Sequence, residues 1–174
     1  MDISLDLIKE LRNLTLASIA HCKKALQESG GDIKKAAEIL RKQGLEIAAG
    51  KRERVAKEGR IEAYVHTGNK IGVLLEVDCE TDFAARNSEF VQFTKDLSMQ
   101  IAACNPLYLK KEDVPPEVIK EEKNKDEFYK NNCLLQQPFV KDLSITISDY
   151  LGSLISKIGE NIVIRRFIRY KVGE

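Results

Sequence analysis

The spacing of apolar positions alternates along this chain between helical and strand periods. Near the amino terminus, Ile3, Leu7, Ile8 and Leu11 recur at the 3.6-residue period of a helix. Ile19, Cys22, Ala25 and Leu26 form a second helical stripe. "GGD" at 30–32 interrupts the pattern, and Asp32 suits the N-cap of a third helix carrying Ile33, Ala36, Ala37 and Leu40. Gly44 is the expected end of that helix. Residues 1–50 therefore predict a compact three-helix module. "LEIAAGKRERVAKEGR" follows, with Lys51, Arg52, Arg54, Lys57 and Arg60. Residues 51–58 are expected to form a charged linker helix: a solvated face or a patch for an acidic partner or nucleic acid.

The period then falls to two. "RIEAYVH" sets Ile61, Ala63 and Val65 against Glu62, Tyr64 and His66. "IGVLLEVDC" sets Ile71, Val73, Leu75 and Val77 against Gly72, Leu74, Glu76 and Asp78. "TGNK" between them supplies Gly68 and Asn69 for positive φ, which predicts a β-hairpin with one core-facing side. Phe90, Phe93, Thr94, Leu97 and Ile101 return to helical spacing after a cap at Asn87 or Ser88, and Asn105-Pro106 closes that helix. "DVPPEVIKEEKNKDEFYKNN" reads as a solvated helix broken near Asn124. "CLLQQPFV" is short and apolar, with Pro138 suggesting an edge. Thr146 and Asp149 fit a capping box ahead of Ile147, Leu151, Leu154, Ile155 and Ile158, and Gly159 is placed to end that helix. "NIVIRRFIRYKV" is a strand whose Arg165-Arg166 doublet breaks strict alternation and points to a bulge or a two-sided environment. Residues 59–174 thus predict an α+β core: a small antiparallel sheet packed against helices.

Composition narrows the function. Lys+Arg (28) and Asp+Glu (27) nearly cancel, which counts against a dedicated nucleic-acid binder. No apolar run approaches the roughly 20 residues that span a bilayer, and "MDISLDLIKELR" is unlike a signal peptide, so a cytoplasmic location is expected. Cys22, Cys79, Cys104 and Cys133 show no paired ligand spacing with His21 or His66, so buried thiols are expected rather than a zinc site. Neither a phosphate loop nor a nucleophile motif is present, and an active site of the chain's own is not expected.

"CETDFAARNSEF" at 79–90 stands apart. It sets Asp82 beside Phe83 where a strand hands over to a helix, with no glycine or proline. The residues alone leave two readings. Phe83 folds back onto the core while Asp82 caps the next turn, or Phe83 projects as a contact probe on a rigid scaffold.

Four blocks resemble the bacterial elongation factor Ts family: "LRNLT…CKKALQESGGDIKKAAEILRKQG", "GVLLEVDCETDFAARNSEF", "QPFVKD" and "KIGENIVIRRFIRYKVGE". The resemblance implies a ubiquitin-associated-like helical module and an α+β dimerisation core. It implies exchange of guanine nucleotide on elongation factor Tu, with Thr81, Asp82, Phe83 and Ala84 in the segment that displaces the partner's Mg²⁺. It further implies that Arg12, Ile19, Lys23 and His66 contact the partner, that the chain needs no metal or cofactor of its own, and that no direct nucleic-acid contact is required. Phe83 is then expected to be exposed. The chain departs from the family at "TLASIAHCK", where Leu16 replaces a glycine and Ile19-Ala20 replace two methionines. A helical segment is missing by comparison near 123–128. Only one of the two core halves of long members is visible, which implies a homodimer. The other functional classes consistent with the residues are a non-exchanging adaptor and an RNA-associated protein using Lys51–Arg60 with Arg165, Arg166 and Arg169.

Overall fold

Polar side chains open each of the first three helices. A computed structural model describes residues 3–15 and 17–174; Leu16, the site of the glycine replacement, lies outside the described residues. In α1 (Leu5–Thr15), the Ser4 hydroxyl accepts from the Leu7 N–H at 3.3 Å. In α2 (Ile19–Glu28), Ser18 accepts from His21 N–H at 3.2 Å. In α3 (Ile33–Lys51), Asp32 accepts from Lys35 N–H at 3.0 Å, as its position after "GG" predicts. Ile8, Leu11, Cys22, Ala25, Leu26, Ala36 and Leu40 close the core between these helices.

Gly44 does not end α3. It lies inside the helix, which runs on to Lys51. The reason is a close approach: a Cβ on Gly44 would meet the Gly152 carbonyl carbon at 3.4 Å, and one on Gly152 would meet Leu45 Cδ2 at 3.3 Å. Two glycines let two helices cross nearly backbone to backbone, and that contact outweighs the modest helix penalty of glycine. Nor is 51–58 a separate helix. Residues 52–57 are turn and extended chain leading into the first strand. The described residues up to Arg54, with Leu151–Asn161, form one compact unit; Val55–Tyr150 with Ile162–Glu174 form the other.

The second unit is built on a three-stranded antiparallel sheet of β1 (Glu58–Val65), β2 (Ile71–Cys79) and β5 (Ile162–Lys171), with β2 in the middle. Gly68 and Asn69 both take positive φ in the hairpin turn, as expected. In β5, Arg166 pairs with Glu76 and Ile164 with Val77, so Arg165 is the extra residue of a bulge. The bulge aims both arginines at acids on β2: Arg165 Nε lies 2.7 Å from Asp78 Oδ2, and Arg166 Nε 2.5 Å from Glu76 Oε2.

Val73, Leu75, Val77, Cys79, Ile162 and Ile164 are buried on the face covered by α5 (Ser88–Cys104). The alternation in β1 is inverted against its own apolar pattern. Ile61 pairs with Glu76 and Ala63 with Leu74, so the apolar set of β1 lies on the face opposite Val73 and Leu75. Ile61, Val65, Leu74, Ile168 and Tyr170 on that open face are 44–69% exposed.

Between α5 and β5 the chain forms α6 (Pro116–Glu121), α7 (Lys125–Asn132), the short pair β3 (Pro138–Phe139) and β4 (Asp142–Thr146), and α8 (Ile147–Ile158). Asn124 caps α7 through Glu127 N–H at 3.2 Å, which places the expected break. Thr146 and Asp149 form the expected reciprocal cap, with Asp149 Oδ2 accepting from Thr146 N–H at 3.0 Å and Thr146 Oγ1 accepting from Asp149 N–H at 3.2 Å. Gly159 has φ of 83° past the end of α8. The mixed architecture is α+β. Among the described residues no helix is long and apolar enough to cross a membrane.

Candidate contact site at the strand-to-helix turn

The site begins where β2 leaves the sheet. Cys79 is buried, and its Sγ donates to the Thr81 carbonyl at 3.1 Å. Thr81 then caps a one-turn helix, α4 (Asp82–Arg86), its Oγ1 accepting from Ala84 N–H at 3.3 Å. Asp82 is thus the first helical residue rather than the cap. Its carboxylate is held by Arg86 four positions on, the favourable order for an ion pair along a helix axis. Within this turn the side chains divide sharply. Ala84 is 5% exposed and roots the turn in the core, whereas Phe83 is 81% exposed. On this capped, ion-paired turn Phe83 projects into solvent and does not fold back onto the core.

The scaffold behind the turn is rigid for identifiable reasons. Phe90, Phe93, Leu97 and Ile101 on α5 are fully buried. Asp96, also on α5, is buried and accepts from Gln92 Nε2 at 2.8 Å, Lys141 Nζ at 2.7 Å and the Tyr150 hydroxyl at 3.1 Å. Tyr150 stacks on Phe139 and meets Phe93 edge-on, both at 4.9 Å between centroids. Burial first, and the neighbouring Asp96 carboxylate second, push the Tyr150 hydroxyl well above its ordinary pKa. Gln100 adds a second tie, accepting from Val140 N–H at 2.9 Å and donating to the Pro138 carbonyl at 3.1 Å.

The other expected contact residues lie elsewhere. His66 is exposed and hydrogen-bonded to the Tyr64 hydroxyl at 2.9 Å, but it sits beyond the hairpin end of β1. Phe83 follows the far end of β2, so roughly 25 Å of strand separates the two at ~3.3 Å per residue. Arg12, Ile19 and Lys23 are exposed in the helical unit. Ile19 and Lys23 share a face of α2, four residues apart. Ile19 therefore stands outside the buried stripe that its spacing suggested. Arg12 lies close enough to act on the Cys22 thiol, although burial dominates there and raises its pKa. Leu14, exposed near the end of α1, and Arg86 at the turn were not singled out by the sequence, whereas Asn87 caps α5 as one of the two expected positions. The i,i+4 spacing of Asp82 and Arg86 was the available signal for the ion pair. Among the described residues, no cluster of three or more His, Cys, Asp or Glu side chains is arranged to hold a metal.

The described residues thus combine a helical module with an α+β core whose strand-to-helix turn displays an aromatic. Comparison with known proteins gives the family. A family model described as Elongation factor TS matches residues 3–127. Elongation factor Ts of Carboxydothermus hydrogenoformans is 47% identical over 99% of this chain and 90% of its own length. That of Caldanaerobacter subterraneus subsp. tengcongensis is 48% identical over 99% of this chain and 98% of its own length. That of Thermodesulfovibrio yellowstonii is 47% identical over 100% of this chain and 98% of its own length. The chain belongs to the elongation factor Ts family.

Proposed function

We propose that this chain is the guanine-nucleotide exchange factor of elongation factor Tu, and that it speeds GDP release by inserting Phe83 beside the partner's Mg²⁺/phosphate site. The observation that carries the reading is the exposure of Phe83 on a turn rooted by Ala84 and capped by Thr81. Tight GDP binding depends on Mg²⁺ bridging phosphate oxygens and protein ligands in near-ideal octahedral geometry. A side chain that displaces part of that shell raises the nucleotide off-rate. Burying a phenylalanine supplies roughly 1.5–3 kcal/mol, and that energy favours the nucleotide-free partner. By linkage, the factor weakens nucleotide binding by the same factor as nucleotide weakens binding of the factor. In this mechanism Thr81 and Ala84 hold the turn, Asp82 is steadied by Arg86, and Arg12, Ile19 and Lys23 grip the same partner. His66 makes a separate contact, distant from the metal. The Mg²⁺ belongs to the partner, so the chain acts without a metal, cofactor or chemical step of its own, in the cytoplasm.

Two copies act together in this reading. The open sheet face is apolar at its centre, with Leu74 beside Ile168, and carries the opposite charges of Glu76 and Arg166 at one end. Such a face is complementary to itself under two-fold symmetry, and sheet-on-sheet packing covers it.

The test of the exchange reading is release of a fluorescent GDP analogue from purified elongation factor Tu. Adding the chain is expected to speed release, and an unchanged rate would remove the reading. Light scattering tests the pairing: a dimer mass is expected for the chain, and a monomer for Leu74→Lys. A monomeric wild type would contradict the pairing and leave the exchange reading standing.

A further inference from the structure

The buried stripe of α5 continues backwards beyond the start of that helix. Phe90, Phe93, Thr94, Leu97 and Ile101 form its core-facing side. Phe83 stands seven positions before Phe90. At about 100° per residue, seven residues return to within about 20° of the same direction. A helix wound without interruption from Asp82 to Cys104 would therefore turn Phe83 toward the side on which Phe90 is buried. The composition of the segment favours such a helix: Ala84, Ala85 and Arg86 rank among the best helix formers, and no glycine or proline occurs from Thr81 to Asn105.

The interruption is a single residue. Asn87 takes φ −59° and ψ 133°, an extended conformation between two helices. Its N–H donates to the Ala84 carbonyl at 3.0 Å and closes α4. Its Oδ1 accepts from Glu89 N–H at 2.8 Å and opens α5. One asparagine is thus the C-cap of the first helix and the N-cap of the second. We propose that Asn87 is the positioning residue of the exchange site: by breaking a helix that would otherwise run through, it converts Phe83 from a core-facing position into a displayed one. The importance of the display for exchange rests on the proposed function above. The aiming itself is a separate structural statement with its own readout.

The chain contains no tryptophan, so Phe83→Trp places a single indole at the site in question. In that background the parent and Asn87→Asp, which keeps the acceptor, should emit as water-exposed indole and be quenched freely by acrylamide. Asn87→Ala removes the cap and is expected to shift the balance toward the continuous helix about fivefold. Its emission should move to the blue and its quenching should fall. With Phe83 retained, Asn87→Ala should lower the maximal rate of GDP release several-fold, Asn87→Asp should restore it, and the unfolding midpoint of Asn87→Ala should not drop in proportion. Indole as exposed in Asn87→Ala as in the parent overturns the proposal. If Asn87→Ala does not fold, backbone chemical shifts of the wild-type chain decide. A non-helical Cα shift at Asn87 between two helical runs supports the break, and a helical shift there overturns it. A wild-type chain that fails to speed GDP release removes the exchange reading, while the fluorescence comparison still decides the aiming.

Discussion

Phe83 and Phe90 are the same side chain one helical repeat apart, yet one is 81% exposed and the other 0%. The turn at 82–86 and the helix behind it divide two tasks between them. α5 is pinned from several sides by Phe93, Asp96 and Gln100, and it gains its stability from burial. α4 is a single turn, too short to be stable alone. It is held by the Thr81 cap, the Ala84 root and the Asp82–Arg86 pair. The displayed residue therefore depends on the buried one. An aromatic can be kept in water and aimed only where its scaffold does not yield.

The largest effect is expected on the buried side. Phe90→Ala should cost about 3–5 kcal/mol in a urea denaturation, because it opens a cavity under the sheet. Exchange should fail with the fold. On the exposed side, Phe83→Ala should leave the urea midpoint nearly unchanged, since the lost side chain touches water. GDP release should slow roughly ten- to a hundred-fold, the equivalent of the burial energy it would have supplied to the complex. Equal stability losses for the two variants would show that the two phenylalanines are not in different environments.

Thr81→Ala sharpens the contrast between cap and probe. It should cost about 1 kcal/mol of local stability, seen as faster amide exchange at Ala84 and Ala85. Tyr150 tests the scaffold through pH. Its folded pKa lies above the ordinary tyrosine value of 10.0, so above that pH the unfolded chain releases a proton that the folded chain retains. Stability should therefore be level below about pH 10 and decline as pH rises further. Tyr150→Phe should flatten that alkaline decline while losing about 1 kcal/mol near neutrality, through the missing bond to Asp96. The smallest effect belongs to the exposed pair. Arg86→Gln should change stability by no more than about 0.5 kcal/mol, and high salt should erase the difference.

Much of this is legible in the sequence, and what is not has specific physical causes. The α5 stripe, the Asp32 cap and the Thr146–Asp149 box follow from local chemistry and are present, and of the two readings of the Arg165-Arg166 doublet the bulge is the one observed. Gly44 was misleading because a glycine marks both helix ends and close helix crossings, and only the partner helix with Gly152 decides between them. Ile61, Ala63 and Val65 reached the open face because register, set by pairing with β2, overrides the alternation of one strand. Their exposure is what a covering partner would remove. At the turn, the sequence offers Asp82 as a cap, whereas Thr81 serves. Neither reading of Phe83 could be chosen from spacing alone, since its position matches the core stripe and its direction depends on the dihedral angles of Asn87.

Stopped-flow release of a fluorescent GDP analogue from elongation factor Tu decides whether the exposed Phe83 is the working element. Wild type and Phe83→Ala should be compared at saturating factor, with matched unfolding midpoints. Strong acceleration by wild type is expected, with at least a tenfold smaller maximal rate for Phe83→Ala. Equal maximal rates for the two proteins would contradict that role.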